Sequence, residues 1–118
     1  MVKYVTDELY LHYEVLTLNV ARLDAEWSKD WHLRVGPGGT GDGNPKKYQG
    51  VKSFMGEGAV VCRPIIHLKD ECDIEPGDAC FTVANGRHRI AVLRDMGESE
   101  IEVVAPRAHA AKLRELFG

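Results

Sequence analysis

At 118 residues the chain is the size of one ordinary domain, so a single domain over residues 1–118 with one hydrophobic core is expected. Its 44% hydrophobic and 28% charged residues, with no apolar run near the ~20 residues of a bilayer span, read as a soluble protein without a membrane partner. A formal net charge of -3 argues against a surface devoted to sequence-independent attraction of DNA. Residues 1–9 carry Asp7 and Glu8 and no basic segment before an apolar one, so a secretory signal is not expected and the compartment read from the chain is the cytoplasm.

Residues 10–23 are rich in β-branched and aromatic side chains with a two-residue period, and one or two strands are expected there. Residues 23–31 mix helix formers with Trp27 and Trp31, which predicts a short helix or turn whose tryptophans pack at i, i+4 spacing in the core. Gly36 to Asn44 holds five glycines in nine residues. Glycine loses much conformational freedom when fixed, so this is read as a mobile loop, either a plain connection or one whose amides close over an anion. Pro45 to Met55 is predicted to be a helix with Asn44 as N-cap, Tyr48, Val51, Phe54 and Met55 facing inward and a polar face of Lys46, Gln49, Gly50 and Ser53.

Val60 to Leu68 reads as a strand interrupted at Pro64, and Asp70 to Asp78 as an acidic turn. Phe81 to Ala84 is a short strand running into Asn85-Gly86-Arg87-His88-Arg89. A helix from Arg87 to Met96 with a stop at Gly97, a strand from Glu100 to Ala105 and an amphipathic helix from Pro106 to Phe117 complete the chain. The three cysteines, Cys62, Cys72 and Cys80, are too few and too widely spaced for a disulfide framework or paired CxxC units. They are read as reduced and structural; the alternative is a zinc site with His67.

Positive residues collect at Lys46-Lys47 and at Arg87-His88-Arg89, each beside glycines. A strand that enters a helix through Asn85 and Gly86 places backbone N–H groups at the helix N-terminus, where the macrodipole favours negative charge. Arg87 and Arg89 add fork-shaped donors for phosphate oxygens, and His88 a group that can carry a proton near neutral pH. Cations in a first helical turn oppose the dipole at about a few tenths of a kcal/mol each, a cost that folding does not ask for. Such local rule-breaking is expected at functional sites. The structural alternative is that both arginines pair with surface carboxylates and His88 fills a core gap.

The order helix Pro45 to Met55, strand, strand Phe81 to Ala84, turn NGRHR, helix, strand IEVV and last helix resembles the ParB/sulfiredoxin superfamily over about the last three-quarters of the chain. Within it, VANGRHRIAVLRDMGESEIEVVAP is most similar to the plasmid fertility inhibition factor group that includes the oncogenic suppression activity protein. The resemblance implies a small α+β domain with a mixed sheet and about three helices. It also implies a site for a nucleoside triphosphate, ATP or CTP, bounded by Asn85, Gly86, Arg87, His88 and Arg89 and by Lys46, Gln49 and Ser53. Sulfiredoxins carry a nucleophilic cysteine where this chain has Arg87, so sulfinic acid reduction is not expected. The chain is also short for the DNA-reading domain of partition proteins.

The implied activity is inhibition of conjugative plasmid transfer, by nucleoside triphosphate hydrolysis or DNA cleavage, acting on DNA or on a protein of the conjugation system. His88 would be the acid or base, Arg87 and Arg89 the stabilisers of phosphate charge and Lys46 the holder of a distal phosphate. Mg2+ would be an accompanying ion, with Asp42, Asp95 or Glu98 as candidate ligands. The alternatives are a non-catalytic protein-interaction module and a DNA-binding module without turnover.

Overall fold

The computed structural model describes residues 2–41, 43–56 and 60–118. Strand β2 (Glu14–Asn19) buries Leu16 and Leu18 while Val15 and Thr17 face outward, the two-residue period of a sheet with one covered face. Asn19 ends it: its side chain accepts from the Arg22 N–H and caps helix α1 (Val20–Trp27). That cap starts the helix earlier than residue 23, where the apolar pattern alone placed it. Because α1 stops at Trp27, the two tryptophans are not one helical turn apart; Trp27 is fully buried, whereas Trp31 is 75% exposed and lies against His32.

Helix α2 (Pro45–Gly56) has the expected cap, with the Lys46 and Lys47 amides donating to the Asn44 side chain. Tyr48 and Met55 are buried, Val51 is half-buried, and Phe54 remains 58% exposed. Gly50 lies inside this helix, and a Cβ added to it would meet nothing within 4 Å. The fold therefore has no steric need for the glycine. Gly50→Ala is expected to raise stability by about 0.5–1 kcal/mol through helix propensity, read as a higher urea midpoint at unchanged slope.

The short strands β1 (Tyr4–Val5) and β3 (Val61–Cys62) pair in parallel. Two residues are too few to show a period, and β1 was not expected. Strand β4 (Ile65–Leu68), strand β5 (Phe81–Asn85), helix α3 (Arg87–Asp95), strand β6 (Glu100–Ala105) and helix α4 (Arg107–Phe117) make up the rest. The larger sheet runs β2-β6-β4-β5 and is mixed: β2 and β5 are antiparallel to their neighbours, while β4 and β6 are parallel. In β6, Ile101, Val103, Val104 and Ala105 are all buried, as a central strand covered on both faces requires.

Helix α4 packs on β2 and turns Ala110, Leu113 and Phe117 inward, with the Phe117 ring edge-on to Phe81. Gly97, at φ 85°, ends α3 with the Gly97 and Glu98 amides bonded back to Arg94 and Leu93. The architecture is α+β with a mixed sheet, as expected, but with four α-helices among the described residues rather than about three. No helix among the described residues is long and apolar enough to cross a membrane.

The glycine-rich segment is folded against α2 and α3, which corrects the expectation of a mobile loop. Residues 37–39 make a 3-10 turn, Gly36 N–H bonds Thr40 O, and Val35 bridges Gly41. Gly39, at φ 88°, sits so close to α2 that a Cβ would lie 2.7 Å from Tyr48 Cβ. The segment does close on an anion, but an internal one: Gly38 N–H donates to Asp95 Oδ2 at 3.1 Å, and Tyr48 Oη donates to the same oxygen at 2.6 Å.

Candidate anion site at the start of helix α3

The β4–β5 register shifts between Ile65, opposite Asn85, and Ile66, opposite Val83, so Ala84 is the extra residue of a β-bulge. A bulge bends the strand end and re-aims the chain beyond it. Here that chain is Gly86, at φ 92° and ψ 23°, the N-cap of α3. Having no side chain, it leaves the first-turn amides without a side-chain cap. The space is closed as well: a Cβ on Gly86 would come within 2.9 Å of Pro64 Cβ and 3.1 Å of Arg89 Cζ. Only glycine combines that φ with that approach.

A cavity of about 310 Å3 opens at this helix end, lined by residues 83–89 of β5 and α3, by Lys47 and Val51 of α2, and by Leu33. Three cationic side chains, Lys47, Arg87 and Arg89, reach it, and no carboxylate among the described residues does. In a chain of net charge -3 these cations collect at the positive end of the α3 dipole. Lys47 of the first positive cluster therefore meets the second.

Arg89 folds back over the turn, its Nη1 donating to Cys62 O and its Nη2 to Asn85 Oδ1 at 3.1 Å. Arg87 Nη1 donates to Leu33 O at 3.1 Å, which ties the segment after α1 to the cavity rim.

A scan of protein-family models finds no match to this chain, and searches of curated proteins and of solved structures find none. What the site can do is therefore argued from its residues.

His88 is the one polar side chain in the buried core, 3% exposed among the described residues. Its Nε2 accepts the Asn44 N–H at 2.9 Å, so the neutral ring carries its proton on Nδ1. This bond joins the residue before α2 to the first turn of α3. Burial lowers the His88 pKa, and the neighbouring charges of Arg87 and Lys47 lower it further. The unfolded chain then takes up the proton first.

The stability held by neutral His88 is present above about pH 6.5 and is lost as pH falls through the lower folded value. His67, lowered by burial and by His109, adds to the same loss. Melting temperature is expected to fall between pH 7 and pH 5, and to fall less in His88→Gln, whose amide keeps an acceptor but does not titrate. An equal fall in both proteins would assign the whole effect to His67 and other groups.

Asn85, Gly86, Arg87, His88 and Arg89 line the cavity, whereas Lys46, Gln49 and Ser53 are exposed and line neither described cavity. The face of α2 that meets the turn carries Lys47 and Val51 instead. The amphipathic pattern had marked Val51 as core, whereas it is half-buried because it forms the cavity wall. Lys47 was visible in the Lys46-Lys47 pair, and Leu33 carried no signal.

Of the candidate metal ligands, Asp42 lies outside the described residues and Glu98 is not at the cavity. Burial alone would push the Asp95 carboxyl up, but hydrogen bonds from Arg94, Tyr48 and Gly38 hold it below its usual value. The cysteines are free thiols, and among the described residues no group of three or more His, Cys, Asp or Glu is gathered as a metal site, so Cys62, His67, Cys72 and Cys80 do not form one.

Proposed function

We propose that the chain is a nucleotide-binding domain of the ParB/sulfiredoxin type that holds the phosphates of a nucleoside triphosphate, ATP or CTP, at the N-terminus of α3. The observation that carries this reading is the cavity at a glycine-capped helix start that is lined by Lys47, Arg87 and Arg89. Helix N-terminal amides and a cationic rim are the general means of binding phosphate.

Arg87 and Lys47 bind and orient the anion, Asn85 and Arg89 shape its edge, and Gly86 lets the backbone approach. We assign His88 to positioning, because its Nε2 is already engaged by Asn44 and its ring is buried. No proton-transfer step is assigned to it. The described donor set does not fit a protein-held Mg2+, since Asp95 is engaged by three donors and no described carboxylate lines the cavity. An ion bound with the triphosphate would be carried by the phosphates themselves.

The resemblance extends the reading to a cellular role, restraint of conjugative plasmid transfer through DNA or a protein of the transfer apparatus. Titration calorimetry with ATP, CTP and inorganic tripolyphosphate tests the binding step. Saturable one-site binding that weakens as salt is raised supports it. Absence of heat with all three at millimolar concentration sinks it.

A further inference from the structure

A second cavity, of about 460 Å3, adjoins the anion cavity and shares Val51, Asn85 and Arg89 with it. Its character is opposite. Val5, Phe54, Met55, Val61 and Ile65 make its walls, so it offers mostly apolar surface. Of its charged neighbours, Arg63 is held by Glu102 at 2.8 Å and by Thr6, and Asp7 accepts the Leu9 N–H.

Two independent features suggest that this space is kept for a ligand. Phe54 and Val5 stay 58% and 48% exposed at the rim, although a phenylalanine on the inward pattern of α2 would ordinarily be covered. Gly50 lines the same cavity from mid-helix, where glycine weakens the helix and no protein atom would obstruct a side chain. What its bareness provides is room beside the helix backbone.

We infer that the apolar cavity takes the aromatic base of the nucleotide whose phosphates lie at the start of α3, an inference that rests on the nucleotide reading proposed for that site. Asn85 and Arg89, common to both cavities, stand where sugar and phosphate join. Recognition in such a space comes from stacking and apolar area rather than from paired donors and acceptors, and base–aromatic stacking tolerates any base. It rewards the larger ring system. The site therefore prefers purine to pyrimidine nucleotides.

Calorimetry of the full chain with ATP, CTP and inorganic tripolyphosphate reads the inference directly. The expected order is ATP tightest, CTP next and tripolyphosphate weakest, with about tenfold between the first and the last. Gly50→Leu fills the cavity without opposing the helix, and is expected to bring ATP down to the tripolyphosphate affinity while leaving the latter within about twofold. Phe54→Ser, at an exposed position, is expected to do the same in part, and keeps the test decisive if Gly50→Leu melts early.

Equal affinities for ATP and tripolyphosphate in the unaltered protein, CTP binding as tightly as ATP, or ATP binding indifferent to both substitutions would overturn the inference while leaving the anion site standing. Failure of all three probes to bind would overturn the nucleotide reading and this inference together.

Discussion

Arg94→Ala is expected to cost about 3 kcal/mol of stability, the largest loss predicted for any single polar side chain in this fold. Only 11% of its side chain is exposed, and one guanidinium links three segments of the chain. Nε pairs with Asp95 at 2.9 Å, while Nη1 pairs with Asp24 at 3.1 Å and donates to Val35 O at 2.8 Å. Removing it takes one charged partner from each of two carboxylates and the side-chain donor from the Val35 carbonyl.

Arg34 would still hold Asp24 at 2.9 Å, and the Asp95 bonds to Tyr48 and Gly38 would remain, so a folded but weakened protein is expected. The network is also what seats the glycine-rich segment on α3. Its loosening should appear as faster amide exchange over residues 36–41, beyond the general loss of stability. A urea midpoint unchanged by Arg94→Ala would show that the carboxylates are well served by water and by Arg34 alone.

Arg87→Ala is expected to weaken triphosphate binding about 10- to 100-fold, the range for losing hydrogen bonds to a charged partner. The bond from Arg87 to Leu33 O is lost as well, so folding must be checked beside binding. Lys47→Gln supplies that check. Lys47 is exposed and its removal touches no described hydrogen bond of its side chain, so a loss of affinity without loss of melting temperature would place its charge at the ligand. Lys46→Gln, one position earlier and lining no described cavity, is the matched control and is expected to leave binding within about twofold. If the protein restrains conjugation, Arg87→Ala and Lys47→Gln should relieve that restraint in a mating assay, and Lys46→Gln should not.

Much of the fold was legible because local rules were strong where they applied. The Asn44 cap, the Pro45 start, the Gly97 stop and the apolar stripe Ala110, Leu113 and Phe117 each have a direct physical cause, and each stands where the sequence put it. The misreadings have a common cause too, for each depended on contacts distant in the chain. Glycine richness in Gly36 to Asn44 suggested mobility, but the partners that hold Gly38 and Gly39, Asp95 and Tyr48, are invisible to composition. Trp31 looked like core because a helix to residue 31 was assumed, whereas the cap at Asn19 moved α1 back along the chain.

The candidate site was half legible. The turn at Asn85 to Arg89 announced itself through cations placed against a helix dipole, which folding alone does not call for. Its opposite wall did not, since a helix wheel shows which residues are polar but not which face another helix will meet. Lys47 and Val51 line the cavity, and Lys46, Gln49 and Ser53 do not, because of how α2 packs on α3. His88 shows the same limit: one residue within a cationic string turned out to be the buried acceptor that ties Asn44 to the turn.

The central claim is that phosphate binds at the start of α3, and amide chemical shifts locate that event residue by residue. On titrating 15N-labelled protein with ATP, the largest shifts are expected at Gly86, Arg87, His88 and Arg89, with smaller ones at Lys47, Gly50 and Val51 and none of comparable size at His67 and His109, which line neither cavity. Saturable shifts centred elsewhere, with Gly86 to Arg89 unmoved, would contradict it.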